Sequence, residues 1–285
     1  MWRLVKWVVR IGVLALAVGY LVLVGFDGKF YYPDDQIYVR PPDLRLAYED
    51  VRLPTRDGLT LAGWFLPAQG QPRGTVVHFH GNAANITNHL PLVEWLPRCG
   101  YHVLMFDYRG YGESEGRVTR AGTIADGHAA LDYALTRPEV RGGPLFVYGQ
   151  SLGAAVAIVV AAERKEVAAV VAESPFSGYR RIAARHLRGL VYFDWLARGV
   201  AALTVSSGHD PIDVVDRVAP RPLLVIAAGN DRICLPESAR ELFDAAGQPK
   251  EFWLAPGAEH LMILDEYDSE LKERVTHFFE RATGR

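Results

Sequence analysis

Gly149-Gln150-Ser151-Leu152-Gly153 places a serine between two glycines, behind the apolar run Leu145–Tyr148 and ahead of the small-residue run Ser151–Lys165. A serine hydroxyl attacks a carbonyl effectively only when a base takes its proton and fixed donors hold the charge that develops on oxygen. A sharp strand-to-helix turn suits both needs, because it projects the hydroxyl and leaves unpaired N–H groups at the helix start. Such a turn is crowded, and glycine at 149 and 153 removes the Cβ atoms that would fill it. The N–H of Leu152, at the positive end of the following helix, suits an oxyanion. A second copy of the pattern, Gly112-Glu113-Ser114-Glu115-Gly116, lies in a polar loop with no small-residue helix behind it. Its two glutamates would oppose an anionic transition state, so context selects Ser151.

The base and its acid follow from chain order. A serine on such an elbow is succeeded by an acidic residue and then by a histidine. Of the nine histidines, His186, His209, His260 and His277 come after Ser151. His260 ends the turn-rich stretch Ala255-Pro256-Gly257-Ala258-Glu259 behind the strand Glu251–Leu254, whereas His277 falls in an amphipathic helix and His186 and His209 in an irregular insertion. Asp231 follows the strand Leu223–Ala227 through Ala228-Gly229-Asn230. Its rival Asp210, in His209-Asp210-Pro211, reads as the cap of a helix around Pro211–Val215 that also carries Asp213 and Asp216. Asp231 is then expected to hold the tautomer of His260 and stabilise its imidazolium. The second oxyanion donor is the N–H of Asn82, in His80-Gly81-Asn82-Ala83 after the strand Gly74–Phe79. His80 precedes the serine and reads as a residue that shapes this loop through side-chain hydrogen bonds.

These residues need a scaffold that brings strand ends together. Asp50–Pro54 and Leu59–Phe65 flank an Asp57-Gly58 turn and predict a hairpin. Beyond it, strands at Gly74–Phe79, His102–Phe106, Leu145–Tyr148, Val167–Ala172, Leu223–Ala227 and Glu251–Leu254 alternate with helices at Ile86–Cys99, Thr119–Thr136, Ser151–Lys165, Pro236–Ala246 and Asp268–Arg281. That alternation predicts an α/β fold with a mostly parallel sheet and helices on both faces. Residues 176–218 interrupt it with helical stretches and no strand, at the strand ends where a lid sits. Ligands of such sheets bind at the carboxyl ends of the strands.

The 285 residues are 49% hydrophobic and 22% charged, an ordinary globular composition able to fold without disulfides or metals. A net charge of -2 argues against a nucleic-acid partner. The two cysteines, Cys99 and Cys234, have no metal-ligand spacing and read as small buried hydrophobes, with a disulfide between them open outside the cytoplasm. Trp7–Phe26 is apolar apart from Arg10, about 20 residues, enough to cross a bilayer. Arg3, Lys6 and Arg10 precede most of it and Asp27, Asp34 and Asp35 follow, which orients the N-terminus to the cytoplasm and the remainder to the other side. An uncleaved signal anchor is the favoured reading. A cleaved signal peptide, with Ala15-Leu16-Ala17 as its site, and a surface or core helix remain open. Three regions result: a transmembrane anchor at 1–26, a linker at 27–45 and a catalytic domain at 46–285.

His78-Phe79-His80-Gly81-Asn82-Ala83, Asp107-Tyr108-Arg109-Gly110-Tyr111-Gly112-Glu113-Ser114, Gly149–Gly153, Asp231 with Pro236, and Pro256–His260 together resemble the α/β-hydrolase superfamily. The resemblance covers residues 46–280 and is closest to the membrane-anchored Bem46/ABHD13/ABHD17-like branch. It implies an α/β-hydrolase fold and makes Asp107–Ser114 a structural turn. Glu259 departs from the pattern, since many relatives carry glycine before the histidine. Relatives in the branch include esterases, thioesterases acting on acylated proteins and lipid hydrolases.

The expectation is a membrane-tethered serine hydrolase of carboxylic esters or thioesters, with Ser151, Asp231 and His260 catalytic and Asn82 and Leu152 forming the oxyanion hole. Its substrate is a small-molecule or lipid-like acyl compound, its membrane partner is met through residues 7–26, and no cofactor or metal is implied. Phe176, Tyr179, Leu187, Leu190, Val191, Tyr192, Phe193, Trp195 and Leu196 make the insertion either an ordinary lid core or an acyl-binding or membrane-facing patch. A serine peptidase on the same fold, and a tethered interaction protein without activity, are the rival readings.

Overall fold

A computed structural model describes residues 2–24, 30–188 and 193–284, with only part of the side chains in the first helix. The chain divides into two compact units, Met1–Tyr31 with Tyr179–Gly208, and Tyr32–Gly178 with His209–Arg285.

The larger unit is built on strands β2 (Glu49–Pro54), β3 (Thr60–Leu66), β4 (Gly74–Phe79), β6 (Tyr101–Phe106), β7 (Leu145–Gln150), β8 (Val167–Glu173), β9 (Leu223–Ala228) and β10 (Lys250–Ala255). They form one sheet in the order β10-β9-β8-β7-β4-β6-β3-β2. β2 pairs antiparallel with β3 and β3 with β6, and all other neighbours are parallel. The Asp57-Gly58 turn closes the β2–β3 hairpin, with Gly58 at φ 87°. Because side chains alternate along a strand, each strand feeds two cores. Val76, Phe146, Tyr148, Val171 and Ile226 face α2 (Ile86–Val93), α3 (Trp95–Arg98) and α9 (Ile263–Ala282), and Phe146 stacks on Phe279 at 4.3 Å. On the other side Phe79 meets Gly127 of α4 (Arg120–Thr136), against Val160 of α5 (Leu152–Glu163). Ten consecutive residues of α5, Leu152–Ala161, are buried, which its small side chains permit.

Several expectations shift. The single helix over Ile86–Cys99 is two helices parted at Glu94, because Pro91 and Pro97 remove N–H donors from the ladder. The closing helix begins at Ile263 and kinks at Tyr267. The helix around Pro211–Val215 is replaced by two 3-10 turns, Pro211–Asp213 and Val215–Val218, and the Asp210 side chain makes no capping bond. These turns belong to the larger unit, and the part of the insertion assigned to the smaller unit is Tyr179–Gly208, with α6 (Tyr179–Leu187) and α7 (Asp194–Thr204). Residues 32–45 are more than a connector. β1 (Tyr32–Pro33) pairs parallel with β5 (Ala83–Ala84), and a 3-10 turn follows at Pro41–Leu44.

Within the smaller unit, α1 (Trp2–Val24) packs against α7, and the ring of Phe30 meets Tyr179 edge-on at 5.5 Å. The expected span Trp7–Phe26 runs into residues 25–29, which lie outside the described residues. Among the described residues no helix is long and apolar enough to cross a membrane.

The loop after β6 is fastened by Arg109. Its guanidinium donates to Asp126 Oδ1 at 2.8 and 2.9 Å and to Asp57 Oδ2 at 2.7 Å, and its own N–H donates to Asp126 Oδ2 at 2.8 Å. Asp126 is fully buried and Asp57 half exposed. Breaking a buried pair leaves one charge uncompensated, so Asp126→Ala is expected to cost about 3–5 kcal/mol. Urea unfolding monitored by tryptophan fluorescence measures it, and an unchanged midpoint would refute the assignment.

Candidate active site

The elbow forms where β7 ends and α5 begins. Ser151 sits at φ 54°, ψ −115°, a conformation strained for a residue with a Cβ. Its N–H donates to Glu173 O at 2.9 Å, which ties the turn to β8. A Cβ at Gly149 would lie 2.4 Å from Gly153 O, and one at Gly153 would lie 1.9 Å from Phe79 O and 2.5 Å from His80 O. The glycines therefore let the helix start touch the end of β4, where the Asn82 loop departs.

The structure brings Ser151, His260 and Asp231 together. His260 Nε2 lies 3.0 Å from Ser151 Oγ, and His260 Nδ1 lies 2.7 Å from Asp231 Oδ2. Asp231 is buried and Ser151 nearly so. The other carboxylate oxygen of Asp231 accepts N–H groups from Ile233 at 2.9 Å and Cys234 at 2.8 Å, which locks its orientation. Loops after β9 and β10 are stitched to each other by Gly229 N–H to Ala255 O at 2.8 Å, Asn230 N–H to Ala258 O at 2.8 Å and Asn230 Nδ2 to Gly257 O at 2.8 Å. With this arrangement the serine proton can pass to a histidine held by a buried carboxylate.

The alternatives from the sequence fall elsewhere. Ser114 Oγ is buried, donates to Asp107 O at 2.8 Å and accepts from Ala62 N at 2.9 Å, a purely structural set of bonds. His277 is exposed and pairs with Glu273, while a ring nitrogen of His186 meets Ile182 O one helical turn back. Glu259 is exposed to solvent. Leu152 opens α5, so its N–H is in the turn that has no intrahelical acceptor. Asn82 lies in the loop between β4 and β5.

Two neighbours of the elbow were not singled out by sequence. Cys234 Sγ lies 3.9 Å from Ser151 Oγ. Its spacing of three from Asp231 is the only signal, and that becomes meaningful once the carboxylate is seen to cap the turn. Neither Cys99 nor Cys234 is in a disulfide. Glu173 is fully buried beneath the elbow, where its Oε2 accepts from Tyr148 Oη at 2.5 Å and Gln150 Nε2 at 2.8 Å. Burial pushes its carboxyl above the ordinary range. A glutamate ending the apolar strand Val167–Glu173 was the available hint.

Three histidines near the loop carrying Asn82 are buried and held in the neutral form. His78 Nε2 donates to Gln150 Oε1 at 2.9 Å, His80 Nδ1 to Gly81 O at 2.8 Å and His89 Nε2 to Ala83 O at 3.0 Å. The second nitrogen of each has no hydrogen-bond partner. Burial lowers His78 to about 3 and His89 to about 4, and holds His80 well below its usual value. His80 thus shapes the loop as expected. Burial also lifts Asp107 to about 7, even though its Oδ1 accepts the N–H of Ile86 at 2.8 Å.

A serine on a strand-to-helix elbow, with acid and base on later strand ends of a parallel sheet, is the arrangement of an α/β-hydrolase. The chain matches the family described as Hydrolase_4, serine aminopeptidase S33, over residues 70–219. It is 33% identical over 256 residues to the uncharacterized protein YfhR of Escherichia coli O157:H7, covering 87% of this chain and 85% of that one. It is 28% identical over 215 residues to protein bem46 of Schizosaccharomyces pombe, covering 74% and 70%. The solved esterase Pf2001 of Pyrococcus furiosus superposes with a TM-score of 0.72 at 28% identity, over 87% of this chain and 98% of that one. The chain belongs to the Hydrolase_4 family of α/β-hydrolases, in its Bem46-like branch, and is a hydrolase.

The buried imidazoles of His78 and His89 are expected to remain neutral from pH 5 to 8, because their values lie below that window. Their ring-carbon proton resonances in NMR should not shift across it. A midpoint near 6.5 for either would overturn the neutral network.

Proposed function

We propose that Ser151, His260 and Asp231 form a catalytic triad that hydrolyses carboxylic esters or thioesters through an acyl-enzyme. The observation that carries this reading is the continuous chain of bonds from Asp231 Oδ2 through His260 to Ser151 Oγ, at 2.7 and 3.0 Å. Ser151 Oγ attacks the acyl carbonyl as His260 Nε2 takes its proton. The N–H groups of Asn82 and Leu152 receive the oxyanion. Collapse of the tetrahedral species breaks the ester or thioester bond, and His260 returns the proton to the leaving alcohol or thiol. Water then attacks the acyl-enzyme with His260 as base, releasing the acid and restoring Ser151. Asp231 stabilises the imidazolium at each stage without taking its proton.

Similarity to a solved esterase supports ester chemistry. The family description, serine aminopeptidase, favours a second reading in which the bond cleaved is an amide. The solved esterase aligns over 98% of its length, whereas the family description names only a class, so ester or thioester hydrolysis is the reading we favour.

The substrate is lipid-like or acylated and the enzyme is tethered by residues 7–26, with its N-terminus cytoplasmic and its catalytic unit on the extracytoplasmic side. The apolar run and its flanking charges support the tether. Exposed Phe193, Trp195 and Leu203 on or beside α7 support apolar surroundings for the smaller unit.

Fluorophosphonate labelling tests the triad. The wild type should label, Ser151→Ala should not, and His260→Ala should lose on the order of 10⁴-fold or more in kcat on a p-nitrophenyl ester. Equal labelling of wild type and Ser151→Ala would remove Ser151 from its role, and faster turnover of an aminoacyl p-nitroanilide would select the peptidase.

Fractionation of expressing cells tests the tether. Full-length protein should stay with the membrane pellet through a high-salt wash and leave it in detergent. Release by salt alone would refute the anchor.

A further inference from the structure

The two proposed oxyanion donors are held very differently. Leu152 opens a helix whose first ten residues are buried, whereas Asn82 lies in a short loop, residues 80–85, that includes Ala84 at φ 62°. A non-glycine residue in the left-handed region persists only where its surroundings enforce it. From the core side, Tyr111 Oη donates to Asn82 O at 2.9 Å and His80 Nδ1 donates to Gly81 O at 2.8 Å. In a trans peptide C=O and N–H point oppositely, so pinning Gly81 O aims the Asn82 N–H.

The outer side of the loop is gripped by residues 32–38. Tyr32 N–H donates to Asn82 O at 3.4 Å and Asp34 N–H to Ala84 O at 3.3 Å. Asn85 Nδ2 donates to Asp34 Oδ1 at 2.9 Å, to Asp34 O at 3.2 Å and to Gln36 O at 2.8 Å. Asp34 O also accepts Gly112 N–H at 3.0 Å, from the loop after β6. Asp34 Oδ2 accepts Tyr38 Oη at 2.7 Å, and Tyr38 N–H donates to Thr87 Oγ1 at 3.0 Å at the start of α2. Asp34 is thus the joint at which the strap, the oxyanion loop and the loop after β6 meet.

We propose that residues 32–38 are a positioning strap for the oxyanion loop and that Asp34 is its positioning residue. The strap does no chemistry. It holds the Asn82 peptide in the orientation the tetrahedral intermediate needs, and it is the stretch through which the chain leaves the N-terminal helix for the catalytic unit. The proposal rests on the reading of Ser151 as nucleophile and Asn82 as donor.

The test uses the full chain as wild type, Asp34→Ala, Asp34→Asn and Tyr38→Phe, each measured on a p-nitrophenyl ester and with a fluorophosphonate. The labelling endpoint counts competent sites, and the labelling rate and kcat per labelled site read the oxyanion hole. Asp34→Ala is expected to lower kcat per site roughly tenfold, short of the 100- to 1,000-fold that follows outright loss of an oxyanion donor. Its KM should stay within about twofold, because an oxyanion donor acts chiefly on the tetrahedral intermediate and little on the ground state. Asp34→Asn keeps an oxygen for Asn85 Nδ2 and a polar partner for Tyr38 Oη, so it should recover most of the rate. Tyr38→Phe removes one bond and should lower kcat about two- to fivefold, which keeps the proposal open to refutation should Asp34→Ala fail to fold. Wild-type kcat per labelled site in both Asp34→Ala and Tyr38→Phe would overturn the strap, as would a loss confined to KM or to the endpoint. Failure of the nucleophile reading shows separately, as a wild type that does not label.

Discussion

The arrangement depends first on the contact between the first turn of α5 and the end of β4. Gly153 has no side chain, and its Cα faces Phe79 O and His80 O at a range that any Cβ would violate. On the opposite flank the N–H of Ser151 is bonded to Glu173 O on β8. The elbow is therefore clamped between two parallel strands, and its left-handed serine is held in a conformation it would not adopt alone. That clamp sets the Leu152 N–H beside the loop carrying Asn82. Because β9 and β10 run parallel to β7, the loops bearing Asp231 and His260 leave the sheet at the same edge.

Beneath the elbow a buried polar chain runs from His78 through Gln150 to Glu173 and Tyr148. Burial penalises the charged forms of all three titratable members, which lowers His78 and raises Glu173 and Tyr148. In the low local dielectric each hydrogen bond of this chain is stronger than it would be in water. Gln150 is the hinge, since its amide donates to Glu173 and its carbonyl accepts from His78. Gln150, between Gly149 and Ser151, thus acts as a brace beneath the elbow. Arg109 solves a similar problem differently, pairing a buried charge with two carboxylates.

The local parts of the fold were readable from spacing. The β2–β3 hairpin, the alternation of strands and helices, and the ends of β4, β7, β8 and β9 fall within about two residues of expectation. Errors arose where a local pattern had two physical outcomes. Apolar spacing over Ile86–Cys99 suggested one helix, but Pro91 and Pro97 were the stronger signal. Asp210-Pro211 suggested a capped helix, but the chain is short there and settles into 3-10 turns. The Tyr- and Pro-rich stretch 27–45 lacks periodicity and reads as a linker, because residues 34–38 within it are fixed by partners some 50 residues away, Asn85 and Thr87.

Sequence alone singled out Ser151, Asp231 and His260, in that order, as the candidate residues and preferred Ser151 to Ser114. Those follow from what lies immediately before and after each residue, glycines at a crowded turn and strands that precede loops. Tertiary structure alone decided that Cys234 lies against the serine, that Glu173 sits under it, and that residues 32–38 bond to the loop carrying Asn82. These are side chains and peptides far apart in the chain, and no local propensity encodes a hydrogen bond whose partner is set by the packing of two other elements.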